Sequence, residues 1–386
     1  MVARRRCNEV TMERLQHKVW PEGLPYDLPL PDNTLDDVLK FSVSSNPEKS
    51  ALVFYGKEIS YREFDQEVDL IAGYLQKACH ISKGDRVGLY LQNSPQFVLG
   101  YYGILRAGGV VVPVNAMNLT EETQYIVESA DIRFLIAGQD LAERLSPLLQ
   151  SNTLKQIIVA HYADKLPTPL PQNLPAELIE EKINPGDGYV QWNDMLSAGH
   201  QPEAVDMHAE DLAILPFTSG STGRGKGCMH THSSALHALN SMRQWFGMSE
   251  NDVFLGVAPM FHVVGMQAGM NLSVMVGGTL VILARWNRDV AAELMRKYQV
   301  TAWPTVPTAV IDFLNREDLQ EDDLQSLRVV WGGGIAMPQA IAEKLKKMTG
   351  LDFLEGYGLT ETICPATACP PQKPVAQCGG VAIHNT

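Results

Sequence analysis

Apolar residues along this chain follow two spacings. At Phe64, Val68, Ile71, Leu75 and Ala78 they recur every three or four positions, which predicts an amphipathic helix over 61–78. Thr34, followed by Asp36 and Asp37, predicts a helix running through Phe41, with the hydroxyl as N-cap and the carboxylates at the positive end. Residues 51–55 and 58–60 flank Gly56-Lys57 and read as a hairpin. Short apolar runs at 86–91, 110–113, 134–137 and 156–160 read as buried strands, separated by helices at 95–107 and from Thr120 onward. A second series has strands at 253–257, 279–283, 302–304, 327–331 and 353–356, with helices at 265–275, 290–298, 308–314 and 338–348. This alternation predicts parallel sheets covered by helices on both faces, an α/β fold. Two stretches break the rhythm. Residues 1–33 read as an irregular arm, and 166–200, rich in Pro, Gly and Asn, read as an insertion over the surface.

Between the two series lies TSGSTGRGKG at 218–227. The apolar run 212–217 before it predicts a strand, and 232–246 after it a helix with Leu236, Leu239 and Met242 on one face. Strand, loop, helix is a geometry in which backbone N–H groups converge on a phosphate. Glycines admit the phosphate closely. Ser219, Ser221 and Thr222 can donate hydrogen bonds, and Arg224 and Lys226 supply charge. Residues 220–226 also fit G-x-x-x-x-G-K, the start of a Walker A loop. That loop needs Ser or Thr after the lysine to hold Mg²⁺, and position 227 is glycine, which disfavours a P-loop NTPase.

Composition narrows the partners. The chain has 386 residues, 45% apolar and 19% charged, enough for two or three lobes with large cores. A formal net charge of −13 argues against a nucleic-acid partner, although it does not forbid an anion locally. No apolar run is long enough to span a bilayer, and no apolar h-region follows the basic MVARRRC start. The six cysteines (7, 79, 228, 364, 369 and 378) lack zinc-site spacing, which points to a reducing cytoplasm.

Three further stretches carry candidate chemistry. Pro259-Met260-Phe261-His262 follows a strand's carboxyl end, where ligands of open α/β sheets bind. Trp331-Gly332-Gly333-Gly334-Ile335 ends another strand, either as a tight turn or as bare backbone for a flat ring. The stretch EGYGLTE at 355–361, taken alone, reads as a turn. His230, His232 and His237 have no carboxylate placed nearby. His232 at the helix opening reads as an ordinary surface residue.

Together these stretches resemble TSG-[ST]-TG-x-x-KG, P-x-F-H and Y-G-x-T-E of the adenylate-forming superfamily of acyl-CoA synthetases, luciferases and adenylation domains. The likeness runs from about Asp32 to Asn385 and is to the N-terminal large domain of a fatty- or aryl-acid CoA ligase. The chain departs in having Gly225 where proline is usual, which predicts a more flexible loop. The resemblance implies a layered αβαβα body of two mostly parallel sheets flanked by helices, plus a small β-barrel portion, with the C-terminal small domain absent. It implies one AMP-binding domain over 1–386, with one lobe at 82–206 and another combining 34–81 with 207–356. Residues 357–386 would then lead toward the missing domain, in a truncated chain.

The same resemblance implies residue roles. Thr218, Ser219, Gly220, Ser221, Thr222, Gly223 and Lys226 would bind ATP or AMP, with Gly333, Gly334, Ile335, Glu355, Gly356, Tyr357, Gly358 and Thr360. His262, Lys226, Thr360 and Glu361 would act in catalysis, and Thr222 and Glu361 would face Mg²⁺. The acid would lie against His262, Val263, Val264, Gly265, Gln267, Trp331 and Gly332. Coenzyme A would meet Arg285. The implied reaction joins a carboxylic acid to CoA through an acyl-adenylate, using ATP, and without the small domain the fragment is expected to bind ATP, AMP or acid weakly and turn over poorly. Two alternatives stay open: a nucleotide-binding fragment without turnover, and another adenylating enzyme of the superfamily. A homodimer is compatible with the pattern but not specified by it.

Overall fold

The computed structural model describes residues 18–182, 186–220 and 223–384. β1 (Ser50–Phe54) and β2 (Lys57–Ser60) form the expected hairpin, turned by Tyr55 and Gly56 at φ 47° and 101°. Seven strands follow in the first sheet: β3 (Arg86–Tyr90), β4 (Val110–Pro113), β5 (Phe134–Gly138), β6 (Gln156–Ala160), β7 (Tyr189–Gln191), β8 (Leu212–Ile214) and β9 (His230–Thr231). Their order is β7-β6-β5-β3-β4-β8-β9, parallel except where β9 meets β8. The second series supplies β10 (Val253–Gly256), β11 (Thr279–Ile282), β12 (Ala302–Thr305), β13 (Val329–Gly332), β14 (Phe353–Tyr357), β15 (Thr367–Ala368) and β16 (Val381–Ala382). They join the hairpin in a nine-stranded sheet, β16-β15-β14-β13-β12-β10-β11-β1-β2. Among the described residues, the antiparallel strands extend the edges of these two sheets and make no third one.

The layers follow from burial. In the first sheet Val87, Leu89, Ile136 and Ile158 enter one apolar cluster, while Tyr90, Val112, Leu135 and Val159 enter another. Both faces are covered, so these strands read as unbroken apolar runs. Every residue of the helix Pro95–Arg106 is buried. It packs against the helix Tyr61–Lys77 and touches β3 and β4 on one side and β1 on the other, so it lies between the sheets. Arg106 ends that helix and meets Asp36, Asp65 and Asp69, each at 2.8 Å. Thr34 caps its helix as expected, accepting from the Asp37 N–H at 3.2 Å.

Three expectations are corrected. The stretch 166–200 is not only a surface insertion. It contains β7, paired with β6, and the helix Trp192–Ser197, whose Trp192 is 1% exposed. The helix expected at 265–275 is a π-helix over Val264–Asn271, running into an α-helical turn at Leu272–Met275. At its end the Leu272 N–H bonds to the Gln267 carbonyl five residues back, and the Asn271 side chain donates to Gln267 at 2.7 Å and to the Tyr101 hydroxyl at 2.9 Å, and accepts from Tyr102 at 3.0 Å. The described part of the arm is irregular, as expected, and its Trp20 is docked on Trp245 and His384, with ring centroids 5.0 and 5.3 Å away.

The third correction concerns His232, which is buried, not on the surface. Its Nδ1 accepts the Leu35 N–H at 3.1 Å, satisfying an amide at the start of the helix Leu35–Ser45. Burial pushes this imidazole from the ordinary 6.5 down to about 4. The fold keeps it neutral while the unfolded chain takes up the proton, so its contribution is complete above pH 6.5 and is lost as pH falls toward 4. Denaturation midpoints are therefore expected to decline across that window. His232→Asn, which keeps an acceptor but does not titrate, is expected to flatten the decline by one proton's contribution.

Candidate active site

The phosphate-loop stretch closes a hairpin. Leu212 pairs with Thr231 and Ile214 with His230, and Phe217 bridges to Gly227. Thr218 N–H donates to the Lys226 carbonyl, and Lys226 N–H to the Thr218 hydroxyl, both at 3.0 Å. This corrects the strand–loop–helix expectation, because β9 intervenes before the helix His232–Trp245. That helix's first amides are taken: His232 N–H donates to Asp211 and Ser233 N–H to Ala209. A Walker geometry, which needs the helix to start directly after the lysine, is absent. An anion here would be met by the loop's own amides and cations. Gly220, at φ +69°, could not carry a Cβ, which would lie 2.3 Å from the Gly223 carbonyl. Ser221 and Thr222 lie outside the described residues.

The second wall comes from the end of β10. Asn93, 5% exposed, reaches across from the loop after β3. Its amide donates to the Ala258 carbonyl at 3.0 Å and its oxygen accepts from Met260 N–H at 2.8 Å. This clamps the turn that carries His262. His262 Nδ1 accepts the Val264 N–H at 3.2 Å, which assigns the ring proton to Nε2. Burial holds its pKa below the usual imidazole value, so the ring is a neutral donor. Gly265 is required because a Cβ there would lie 2.2 Å from the Pro259 carbonyl.

The third wall is built by β13 and β14. A Cβ on Gly332 would lie 1.7 Å from the Thr305 carbonyl, and one on Gly333 would lie 2.3 Å from that of Gly356. The strand end must therefore be bare backbone. Trp331 stacks on Phe246, with centroids 4.9 Å apart and planes 25° from parallel. At the end of β14, Tyr357 is 55% exposed. His230 Nε2 lies 2.8 Å from the Thr360 carbonyl, tying the hairpin base to this last loop.

The three walls enclose one cavity of about 510 Å³. From the hairpin it receives Thr218, Ser219, Gly220, Arg224 and Lys226, and from the His262 turn His262, Val263 and Val264. From the strand ends come Trp331, Gly332, Gly333 and Gly334, then Gly356, Tyr357, Gly358, Thr360 and Glu361. The structure does not bring every expected residue to it. Gly223 and Gly265 are not on its wall, and Ile335 is 54% exposed elsewhere. Gln267 is fully buried against Asn271, and the Glu355 carboxylate accepts from Gln377 N–H at 2.8 Å. Arg285 lines a second cavity of about 410 Å³, which shares Ala258, Pro259 and Val306 with the first. It is ion-paired to Glu177.

Several lining residues were missed from the sequence. Met242 and Phe246 project from the helix His232–Trp245 and its end, and Pro304, Leu354 and Cys364 complete the apolar side. Only Met242 carried a signal, as part of an apolar face, and that signal does not separate a core from a cavity wall. Burial pushes the Cys364 thiol up to about 12, so it is not a nucleophile at neutral pH. Glu361 stands on the wall with no ion pair among the described residues, and no three His, Cys, Asp or Glu side chains among them cluster as a metal site. A single free carboxylate fits a cation that arrives with phosphate oxygens and keeps several of its waters. No helix of the described residues is long and apolar enough to cross a membrane.

Comparison with known proteins agrees with this geometry. The chain is 32% identical over 355 residues to a long-chain-fatty-acid–CoA ligase of Bacillus subtilis, covering 89% of this chain and 62% of that protein. It thus spans about three fifths of the length of that relative. The crystal structure of the anthranilate CoA ligase AuaEII in complex with anthranoyl-AMP matches with a TM-score of 0.80 and 25% identity, over 92% of this chain and 65% of that one. The fold is also that of a long-chain-fatty-acid-CoA ligase from Archaeoglobus fulgidus, with a TM-score of 0.80 at 23% identity, over 95% of this chain and 72% of that one. A family model described as AMP-binding enzyme matches residues 39–386, and the chain belongs to that family.

Proposed function

We propose that this chain forms an acyl-adenylate from a carboxylic acid and ATP, as the first half of an acid–CoA ligase reaction. The observation that carries the reading is one cavity holding a cationic glycine loop, a neutral histidine, a bare-glycine shelf and a free carboxylate. The nucleotide base lies on the Gly333–Gly334 shelf against Tyr357. Lys226 and the loop amides hold the outer phosphates, and Thr360 bonds the α-phosphate. The Nε2–H of His262 donates to the acid and aims it. One carboxylate oxygen attacks the α-phosphorus, the bond to the bridging oxygen breaks, and pyrophosphate leaves. The developing negative charge is stabilised by positioned donors and cations in a site shielded from water. Magnesium, held by Glu361 and bound phosphates, would neutralise part of that charge.

Met242, Phe246, Val264 and Leu354 give the acid an apolar wall, which suits a fatty or aryl carboxylate. In the second half, a CoA thiolate attacks the acyl carbon and AMP leaves. The second cavity supports this, since it meets the first at the His262 turn and carries Arg285 for a phosphate. We divide the body between the two sheets, which assigns β8 and β9 to the lobe holding 82–206. A cytoplasmic setting belongs to the same reading.

The test supplies ATP, Mg²⁺ and a panel of acids to the chain and reads pyrophosphate and trapped acyl-adenylate. Acid-dependent release with fatty or aryl acids is expected. ATP hydrolysis indifferent to acid would support an NTPase, and ATP binding with no adenylate from any acid would support a nucleotide-binding module.

A further inference from the structure

The phosphate-loop stretch lacks the proline of the motif it resembles, and the structure shows what stands in its place. Gly225 cannot carry a side chain in this conformation, because a Cβ would lie 2.4 Å from the Thr218 carbonyl. Stiffness must come from outside the loop. Tyr125 projects from the helix Thr120–Ser129, which is anchored by buried Thr123, Ile126 and Val127. Its hydroxyl donates to the Gly225 carbonyl at 2.9 Å. Its ring lies beneath the Arg224 guanidinium, 4.9 Å from carbon to centroid. Phe217, at the loop's base, meets the same ring edge-on at 6.4 Å. Two of these contacts join the returning limb of the loop to a helix packed on the first sheet, and the third reaches the base of the outgoing limb, all through one half-buried side chain. Arg224 lines the nucleotide cavity, so the contact beneath it holds a cation at the cavity's rim.

We propose that Tyr125 is a positioning residue for polyphosphate binding, fixing Gly225 through its hydroxyl and Arg224 through its ring. The inference rests on the nucleotide reading above. Tyr125 touches no ligand itself. It restricts the backbone that presents the loop amides, and it keeps a flexible cation near the outer phosphates at little entropic cost. AMP, which lacks those phosphates, depends on it far less.

The experiment compares wild-type chain with Tyr125→Leu and Tyr125→Phe in two measurements. Calorimetry gives the affinities for MgATP and for AMP. Limited trypsin digestion, followed by mass spectrometry, times cleavage after Arg224 and Lys226. Tyr125→Leu is expected to weaken MgATP by roughly five- to tenfold, the loss of one cation–π contact and one neutral hydrogen bond, with AMP changed less than about twofold. Cleavage after Arg224 and Lys226 is expected to quicken by a similar factor. Tyr125→Phe, which keeps the ring, is expected to fall between, and tests the idea should the leucine variant fail to fold. Equal loss of both nucleotides, or unchanged MgATP affinity in both variants, overturns the proposal. Wild-type chain that binds neither nucleotide would instead overturn the functional reading, and only in that case would cleavage timing decide: faster cleavage in Tyr125→Leu supports the brace and unchanged cleavage removes it.

Discussion

Replacing Gly332 by alanine is expected to destabilise the protein by about 3 kcal/mol, the upper end of the usual cost of overpacking. Gly332 lies in β13 in register with Thr305 of β12. The added carbon would lie 1.7 Å from the Thr305 carbonyl, and that obstacle is backbone, which cannot rotate aside. Relief requires the two strands to separate, in the interior of the nine-stranded sheet. Urea denaturation should show a lower midpoint with an unchanged slope, the sign of lost stability without a change in exposed surface. Gly334→Ala is the contrast. Its φ is +95° and nothing lies within 4 Å of the added carbon, so only backbone strain, about 1 kcal/mol, is expected. If Gly332→Ala matched Gly334→Ala, the close approach of β12 and β13 would be disproved.

Lys226→Ala should leave the fold nearly intact and cripple the chemistry. The side chain is exposed and forms no ion pair among the described residues, so its removal should move the thermal midpoint little. In the cavity it is one of two cations on the hairpin wall, with Arg224. Loss of a positioned donor to developing charge typically lowers kcat by about 10²- to 10³-fold. Acid-dependent pyrophosphate release at saturating ATP is the measurement. A variant that retained full rate would remove Lys226 from the reaction and leave the loop a merely structural hairpin.

Much of the fold was readable from side-chain spacing. β4 and β6 fall on the expected residues, because runs such as Val110-Val111-Val112 are buried on both faces and bounded by turns. What escaped had no such signal. β9 is two polar residues, His230 and Thr231, and its omission made the glycine loop look as if it fed directly into a helix. β7 is three residues amid prolines and glycines. Val264–Asn271 is buried almost all round, so its residues carry no period that separates a π-helical from an α-helical register. At the site, the motif residues converge because the ends of β10, β13 and β14 lie together in the second sheet and the β8–β9 hairpin of the first sheet faces them. Gln267 and Glu355 turn inward, since neighbours distant in sequence, Tyr101 and Tyr102 around Asn271 and Gln377 beside Glu355, provide polar partners there.

Asn93 immediately precedes Ser94, the cap of the helix enclosed between the two sheets. A swing of the His262 turn would have to drag that enclosed rod with it. The clamp thus steadies the His262 side of the chamber more than the glycine-lined side. On the proposed reading, an acid of the wrong outline would be turned away at the threshold instead of accommodated after entry.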